Sequence, residues 1–445
     1  MSGNEIIGLA MLAAMIGIVF VGVPISFTLL YIALVFGSIG LGIDSTFSLA
    51  YIQIFGSMKD DVLPAVPLFI FMGFMSEQAG LMNRLFESLR NILAPVRGSL
   101  YLTVLLTGTI FAMATGIIGA AVTVLGIIAG PIMVKAGYDV RLSAGAIAAG
   151  GTLGILIPPS IMLLVMGPLL GVPVNHLYSA AFGPGFLLAA LYIVYCLARS
   201  FFNPKLGPPI PPAERVKDLG KLWREFVVGV VPLAALVGAT LGTMIAGIAT
   251  ATEAASCGAL GATLLALAYR RLNLAALRNA AISTIVTSSM VLFLVVGSNL
   301  FGAVFNQLGA ASLIKGAVVS IPLPDMGKLL VIMAIIFVLG WPFEWPAIVL
   351  VFLPIFLPVV ETLEIGLSKQ ELMLWFGVVV AVNLQTAFLS PPVAMSAYYL
   401  KNVMPQWGLG LIYRGMAQFM GTQIFCLLLL LIWPEIVLWL PRALR

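Results

Sequence analysis

Long apolar runs with almost no charge recur along this sequence from one end to the other. The run IIGLAMLAAMIGIVFVGV covers residues 6–23, and CLLLLLIW lies near the C-terminus. Of the 445 residues, 61% are hydrophobic and only 9% are charged, which is more apolar surface than a soluble domain can cover. Runs of roughly 18 to 25 residues match the thickness of a bilayer. The sequence therefore predicts an all-α polytopic membrane protein whose first span is retained.

The basic residues predict the orientation of the chain, because Lys and Arg in short loops mark the cytoplasmic side. Sixteen of the 22 fall in five segments, namely 80–99, 134–142, 199–225, 269–279 and 400–415. The N-terminal stretch MSGNEIIG has none. With the five segments inside and three spans expected at 5–22, 24–40 and 62–79, the N-terminus lies outside.

Two stretches predict re-entrant helical hairpins. Residues 99–134 have both ends in cytoplasmic clusters and ATGIIGAAVTVLG between them, and their length suits neither one straight span nor two full ones. Two half-length helices meeting near Gly116 and Gly119 fit better. Residues 326–362 have both ends outside and the break GWPFEWP at their midpoint.

A span with a proline pair follows each hairpin. Residues 141–165 contain GILIPPSIM and residues 371–396 contain TAFLSPPVAM, and the pairs lie 233 residues apart. Proline removes a backbone donor and clashes with the preceding helical turn, so each pair predicts a broken transmembrane helix. The two broken helices run in opposite directions. Hairpin and broken helix in the same order therefore predict inverted-topology repeats, with chance likeness between apolar helices as the alternative.

The predicted breaks indicate a binding site. Backbone polar groups at bilayer depth are tolerated only when they are buried in protein or line a cavity. A half-helix that starts there offers N–H groups to an anion, and one that ends there offers carbonyls to a cation such as Na⁺. The alternative is that Gly and Pro act as packing or kink residues.

Few ionisable residues fall inside the apolar runs, so those few are candidates for function. Glu344 lies in the second predicted tip. Glu253 follows Thr250, so it is either a site residue or part of a helix N-cap, and Glu77 fits the membrane interface. The sequence has no ATP-binding, hydrolase or zinc motif, and its single His176 and three isolated cysteines suggest no metal site. We predict a protein that is not an enzyme and has no catalytic residues.

The chain resembles the large membrane subunit (M subunit) of the tripartite ATP-independent periplasmic (TRAP) transporters, within the ion transporter superfamily. The resemblance covers nearly the whole length and rests on GVPISFTLL, KAGYDVRLSAGAIAAGGTLGILIPPSIML, TATEAASCGA, GWPFEWPAIVLVFLPIFLPVV and NLQTAFLSPPVAMSAYYL. It implies an elevator-type secondary transporter in the bacterial inner membrane with a periplasmic N-terminus. It also implies coupling to Na⁺, a small membrane Q subunit and a periplasmic substrate-binding P protein. No organic cofactor and no nucleic acid are expected, and membrane lipid surrounds the spans.

The resemblance also implies the site residues. Cation site 1 would use Thr115, Gly116, Gly154 and Pro158, and cation site 2 would use Gly340, Glu344, Gln385 and Pro391. Substrate would contact Gly116, Gly119, Ser160, Glu344, Asn383 and Ser390. The expected division of the chain is scaffold spans and a cytoplasmic arm helix in 1–98, transport repeat 1 in 99–199, a cytoplasmic Pro-rich linker with an amphipathic helix in 200–225, scaffold and second-repeat spans in 226–306, transport repeat 2 in 326–402 and a C-terminal span in 403–445.

The tips of this chain depart from the commoner family pattern. The first tip reads TGIIGAAVT where many members have a Gly-Ser-Ser type sequence, and Ser390 replaces the usual Thr. With fewer hydroxyl groups, sialic acid or a C4-dicarboxylate is less expected as the substrate. The tip TGIIGA with GPLLGVPV resembles a branch of the family that is linked with 2-oxo acids and other monocarboxylates. The expected function is Na⁺-coupled uptake of an organic acid anion, with a less polar monocarboxylate or 2-oxo acid as the favoured class. The alternative is a symporter or cation antiporter of the same fold that works without a binding protein.

Overall fold

The computed structural model describes residues 2–116, 118–212, 215–216, 218–392 and 394–444. Within these ranges all regular secondary structure is helical. Eight of the described helices are long and apolar enough to cross a membrane, or nine when one bent pair counts as a span. The predicted class, an all-α polytopic membrane protein, is confirmed.

The first five helices are α1 (Gly3–Phe20), α2 (Ile25–Gly40), α3 (Ile43–Met58), α4 (Ala65–Gln78) and α5 (Leu81–Leu93). Helix α3 was not predicted, because its segment carries Asp44 and several Ser, Thr and Gln residues that lower its hydrophobicity. Helices α4 and α5 meet at an angle of 59°. Gly80 between them has φ +71°, a left-handed conformation that suits glycine.

The next part contains a helical hairpin and an interrupted helix. Its helices are α6 (Ser99–Thr115), α7 (Ile118–Lys135), α8 (Val140–Thr152), α9 (Ile161–Leu170) and α10 (Val174–Phe202). Between α8 and α9 the chain forms a short 3₁₀ turn, Leu153–Ile155, and then the cis peptide bond of Pro158-Pro159. No helix runs through this proline pair.

The middle of the chain contains α11 (Leu219–Val237), a π-helical turn (Gly238–Gly242), α12 (Thr243–Ile245), α13 (Ala251–Ala268), α14 (Leu274–Gln307) and α15 (Ala310–Val319). The linker 200–225 was expected to contain an amphipathic helix, and in the described part of the chain this helix is continuous with the span that follows. Asp218 caps α11 by accepting from the N–H groups of Gly220 and Lys221. No proline or other strong break follows before the apolar segment, so the helix continues into the span.

The last part repeats the order of hairpin and interrupted helix. It contains α16 (Asp325–Leu339), α17 (Trp345–Ala347), a π-helical turn (Ile348–Phe352), α18 (Leu353–Val360), α19 (Lys369–Gln385), α20 (Met395–Val403), α21 (Leu409–Ile432) and α22 (Glu435–Ala443). A 3₁₀ turn, Thr386–Phe388, and the cis peptide bond of Pro391-Pro392 separate α19 from α20. Helices α15 and α22 are short and were not predicted.

The helices that lead into the two interruptions lie at the centre of the molecule. All residues of α8 from Leu142 to Thr152 are buried, as is nearly all of α19. Helix α8 packs against α6, α7 and α21, and α19 packs against α9, α10, α16 and α21. A Cβ atom placed on Gly415 of α21 would lie 2.2 Å from the Arg141 carbonyl oxygen, so α8 and α21 are in backbone contact. This tight core fixes where the two interrupted segments lie.

Candidate functional site

One cavity of about 220 Å³ lies where the two hairpin tips and the two helix interruptions come together. Its wall consists of Gly116, Ile118 and Gly119 from the first tip, Ile155 and Ile161 from the first interruption, Glu344, Trp345 and Pro346 from the second tip, Phe388, Met395 and Tyr399 from the second interruption, and Thr287, Met290 and Val291 from α14. The structure thus brings all four predicted breaks to a single place.

In the described part of the chain, four helices begin at this cavity. Ile118, Ile161, Trp345 and Met395 are the first residues of α7, α9, α17 and α20, and each lines the wall. The first N–H groups of a helix have no partner within the helix, and the dipole makes this end positive. Four positive helix ends facing one cavity are suited to binding an anion.

The first tip lies directly against the first interruption. Gly116 ends α6 with φ +60°, a left-handed conformation. A Cβ atom at this position would lie 3.2 Å from the Pro159 carbonyl oxygen and 3.7 Å from that of Gly154. The structure therefore brings together Gly116 and Gly154 of predicted cation site 1, beside Pro158. Thr115 is the last residue of α6, and its side chain lies outside the described part of the structure.

Ser160 supports the first interruption from within. Its buried hydroxyl donates to the Ile155 carbonyl and accepts from the Leu163 N–H at 3.3 Å, which makes Ser160 the N-cap of α9. The Tyr178 hydroxyl donates to the Ser160 carbonyl at 3.0 Å. These bonds fix the start of α9, and the Ser160 side chain is not part of the cavity lining.

The second tip lies against the second interruption in a similar way. A Cβ atom on Gly340, which ends α16, would lie 3.0 Å from the Ala387 Cβ. Asn383 of α19 donates its side-chain N–H to the Met333 carbonyl of α16 at 2.8 Å. Its buried Oδ1 has no hydrogen-bond partner among the described residues. The side-chain nitrogen of Asn383 thus links α19 to α16, and its side-chain oxygen remains available to a ligand.

Three further predicted residues lie around the second interruption without lining the cavity. The side-chain amide of Gln385 is fully buried, and neither its nitrogen nor its oxygen has a partner within the described ranges. Ser390 donates its hydroxyl to the Thr386 carbonyl at 2.7 Å. Pro391 is exposed. An unpaired buried amide oxygen costs free energy, so Gln385 is the member of this set that a bound cation or water would satisfy.

Glu344 is the carboxylate of the cavity. It is the N-cap of α17, lines the wall and is half-buried, and its carboxylate makes no hydrogen bond or ion pair with the described residues. Glu253 behaves differently. Its carboxylate accepts from the Thr250 N–H at 2.8 Å while its own N–H donates to the Thr250 hydroxyl, a complete capping box at the start of α13. Of the two interpretations of Glu253, the helix cap is confirmed.

Tyr399 and Thr287 were not predicted as site residues. The Tyr399 ring lies against the first tip. A Cβ atom added to Gly119 would be only 2.9 Å from the tyrosine Cζ. Tyr399 follows Met395 by four residues, which places both on one face of α20, and this spacing could have identified it. Thr287 belongs to the long apolar helix α14, where nothing in the local sequence marks it.

No group of three His, Cys, Asp or Glu residues comes together in the part of the chain that the structure describes. A cation at this site would instead have carbonyl, amide and hydroxyl oxygens as ligands, which suit hard ions. Two interrupted helices meet at a cavity lined by helix ends, inside a polytopic α-helical bundle. This arrangement is characteristic of a membrane transport protein.

The chain matches the family described as "Tripartite ATP-independent periplasmic transporter, DctM component" over residues 12–436, and it belongs to that family. It is 29% identical to the C4-dicarboxylate TRAP transporter large permease protein DctM of Pseudomonas aeruginosa, with 88% of each chain covered. It is 26% identical to the sialic acid TRAP transporter large permease protein SiaM of Vibrio cholerae over 96% of each. The family predicted from the sequence motifs is confirmed.

A solved structure shares the fold. The YdaH transporter of Alcanivorax borkumensis superimposes with a TM-score of 0.62 over 88% of this chain and 89% of that one, at 16% sequence identity. The likeness at this low identity concerns the fold alone. It agrees with the all-helical transporter architecture described above.

Proposed function

We propose that this large permease subunit carries out Na⁺-coupled uptake of an organic acid anion. The observation that carries the proposal is the convergence of four helix N-termini on one cavity between the two tips and the two interruptions. Such an arrangement supplies positive potential without a basic side chain in the lining. It is the arrangement that discontinuous helices provide in secondary transporters.

The electrostatics of the cavity favour a singly charged substrate. Each helix N-terminus is equivalent to about half a positive charge and each C-terminus to about half a negative charge. Gly116, Ile155 and Phe388, at the ends of α6 and of the two 3₁₀ turns, also line the cavity, so the helix ends together carry little net charge. The N–H groups of the four starting helices can bind one carboxylate group, and because Glu344 adds a negative charge, any second carboxylate would need a bound cation. A monocarboxylate, including a 2-oxo acid, is therefore the proposed substrate class.

The apolar part of the lining supports the same class. Ile118, Ile155, Met290 and Phe388 surround the space, while Glu344, Tyr399 and Thr287 are its polar side chains. An aliphatic chain would bury its surface against the first group, at a gain of about 25 cal/mol for each Å² removed from water. The two relatives named above are a C4-dicarboxylate and a sialic acid permease, so carboxylate transport is common to their names.

Two Na⁺ sites are proposed at the two contacts between tip and interruption. Site 1 uses backbone carbonyls around Thr115, Gly116, Gly154 and Pro158, because the carbonyls of Gly154 and Pro159 both face the tip. Binding there would hold α6 against the first interruption. Carbonyl oxygens in an unwound segment are suitable ligands for Na⁺.

Site 2 uses Gly340, Glu344, Gln385 and the backbone near Pro391. The unpartnered amide of Gln385 and the close contact of Gly340 with Ala387 support this placement. Among the proposed substrate residues, Gly116, Gly119 and Glu344 line the cavity directly. Ser160, Asn383 and Ser390 act by holding the interrupted segments in place, as their hydrogen bonds indicate.

Transport is proposed to proceed by an elevator-type movement of the two repeats, 99–199 and 326–402, against a scaffold formed by 1–98 and 226–306. The linker 200–225 and the C-terminal part 403–445 connect and flank these units. The repeated order of hairpin and interrupted helix supports an inverted-repeat relation between the two halves.

The family name implies three components, so the proposed partners are a small Q membrane subunit and a periplasmic P protein that delivers the substrate. The proposed location is the bacterial inner membrane, with the N-terminus in the periplasm. The concentration of Lys and Arg in five segments supports this orientation.

The test is uptake by proteoliposomes that contain this subunit together with its Q subunit, with the P protein added outside. Radiolabelled 2-oxobutyrate, succinate and sialic acid serve as probes. We expect the proteoliposomes to take up 2-oxobutyrate. This uptake should stop when the inward Na⁺ gradient is removed or when the P protein is omitted.

Each omission tests a separate part of the proposal. Uptake that continues at the same rate without Na⁺ would reject Na⁺ coupling. Uptake that continues without the P protein would instead identify a self-sufficient symporter of the same fold. A preference for succinate over 2-oxobutyrate would reject the monocarboxylate assignment, and a preference for sialic acid would reject a less polar substrate; neither result would affect the coupling.

A further inference from the structure

A second cavity, of about 460 Å³, lies between helices α5 and α11, away from the site described above. It lies between two of the basic clusters that predict the cytoplasmic side, 80–99 and 199–225. Its lining combines one face of α5 with the first turns of α11. None of these residues lines the cavity between the tips.

The two helices are held in contact beside this cavity. The Ser88 hydroxyl of α5 donates to the Glu225 carbonyl of α11 at 2.8 Å. A Cβ atom on Gly229 would lie 2.2 Å from the Ser88 oxygen, so the backbones approach closely there. The cavity is therefore a fixed trough between packed helices, and its long side chains extend from the rim.

The carboxylates in the trough already have partners. Glu87 forms an ion pair with Arg90 at 3.2 Å. The Glu225 carboxylate accepts a hydrogen bond from the Asn91 amide at 2.9 Å. Neither carboxylate forms an ion pair with Lys221 or Arg224.

The trough lining holds three cations, Arg84, Lys221 and Arg224, against two carboxylates. Lys221 and Arg224 form no ion pair with any residue that the structure describes, and both line the trough. Arg84 stacks its guanidinium over the Tyr269 ring at 4.3 Å, and the Tyr269 hydroxyl donates to the Val228 carbonyl at 2.7 Å. The aromatic contact positions the Arg84 group without neutralising its charge. The trough thus holds excess positive charge at defined positions.

Exposed apolar side chains lie on an adjoining face of α11, outside the trough lining. Trp223, one residue before Arg224, is 65% exposed, and tryptophan is enriched at the membrane–water interface. Val227 and Val231 continue the same helix and are each 48% exposed, as expected of side chains that contact acyl chains. A ligand with a negative head and apolar chains would match both parts of this surface.

We infer that this trough binds the phosphate headgroup of an anionic glycerophospholipid from the leaflet on the basic side. A phosphate group as such would suit Lys221, Arg224 and Arg84. The exposed Trp223 and valines beside them assign the source as lipid rather than a free phosphate ion. Basic pockets between membrane helices at the cytoplasmic side are typical of such binding.

The experiment uses the full complex, stripped of loosely bound lipid and incubated in mixed micelles of phosphatidylglycerol and phosphatidylethanolamine. Native mass spectrometry then counts the lipids that each protein retains. We expect the wild type to retain phosphatidylglycerol selectively, and the double variant Lys221→Gln/Arg224→Gln to retain several-fold less of it. The matched control Arg271→Gln/Arg278→Gln removes two cations from the same side outside the trough and should retain the wild-type amount.

Equal loss in both double variants, or no loss in either, would overturn the inference. So would displacement of phosphatidylglycerol by an equimolar amount of sn-glycerol 1-phosphate, because the site would then bind a soluble phosphate. If the glutamine variant does not fold, the charge-keeping variant Lys221→Arg/Arg224→Lys provides the test. It should retain phosphatidylglycerol, and raised NaCl should release the lipid from the wild type. Retention that is insensitive to salt contradicts the assignment.

Discussion

Replacing Gly116 by alanine perturbs the contact between the first tip and the first interruption. Gly116 has φ +60°, and a residue with a Cβ atom in this left-handed conformation costs about 1–2 kcal/mol. The added Cβ would also lie 3.2 Å from the Pro159 carbonyl oxygen, a tight contact. Under the proposed function, an ion at site 1 holds the tip against the interruption, so the cost falls mainly on this bound state.

A cost of this size corresponds to a factor of about 5 to 30 in an equilibrium constant. We therefore expect Gly116→Ala to raise the Na⁺ concentration for half-maximal uptake by up to this factor. The assay is Na⁺-dependent uptake of a radiolabelled monocarboxylate in proteoliposomes, with thermal unfolding of the same preparations measured in parallel.

Gly171 provides the matched control. It ends α9 with φ +65°, and a Cβ atom there would meet nothing within 4 Å. Gly171→Ala carries the same backbone cost away from both tips, so it should lower the melting temperature to a similar extent and leave the Na⁺ dependence unchanged. If both variants change the Na⁺ dependence equally, or if neither does, the reasoning that places cation site 1 at the Gly116 contact is refuted.

Glu344→Gln should weaken the apparent Na⁺ affinity by about tenfold or more in the same uptake assay, because it removes the carboxylate proposed for cation site 2, whereas Glu253→Gln should have no effect because glutamine also completes a capping box. Gly415→Ala should lower the melting temperature by an amount equivalent to about 1–3 kcal/mol, since its Cβ would lie 2.2 Å from the Arg141 carbonyl, while Gly421→Ala on the same helix, with nothing within 4 Å, should not. Arg442→Gln removes ion pairs with Glu371 at 2.9 Å and Glu435 at 2.5 Å near the surface, so it should lower the melting temperature only slightly, and only at low salt. A melting temperature that falls as much in high salt as in low salt would contradict this reading of Arg442.

Features set by local backbone chemistry could be predicted from the sequence. The two proline pairs predicted interruptions, and the helices stop before both, because two consecutive prolines remove two backbone donors and both rings clash with the preceding turn. Gly116 was likewise identified as a tip residue, and a left-handed glycine ends α6 there. The capping box of Thr250 and Glu253 was one of two interpretations and could be recognised from the spacing alone.

Features set by contacts between distant segments could not be predicted. Thr287 reaches the cavity only because α14 packs beside the second hairpin, and its own sequence is an unremarkable apolar helix. Ser160 was expected to face the substrate, but its hydroxyl bonds within the interruption, a choice that depends on the exact backbone path. Helix α3 was missed because a helix packed against protein on one side tolerates polar residues that hydropathy penalises.

Both interruptions follow a hairpin along the chain, but they differ in how deeply their prolines are buried. Pro158 and Pro159 are buried, and Ser160 and Tyr178 satisfy the backbone that follows them. Pro391 and Pro392 are exposed, and the nearby amide of Gln385 is buried without a partner among the described residues. The two interruptions are therefore unequal in burial. For the alternating access proposed above, which needs one closed and one open side at a time, the exposed second interruption is the proposed open side.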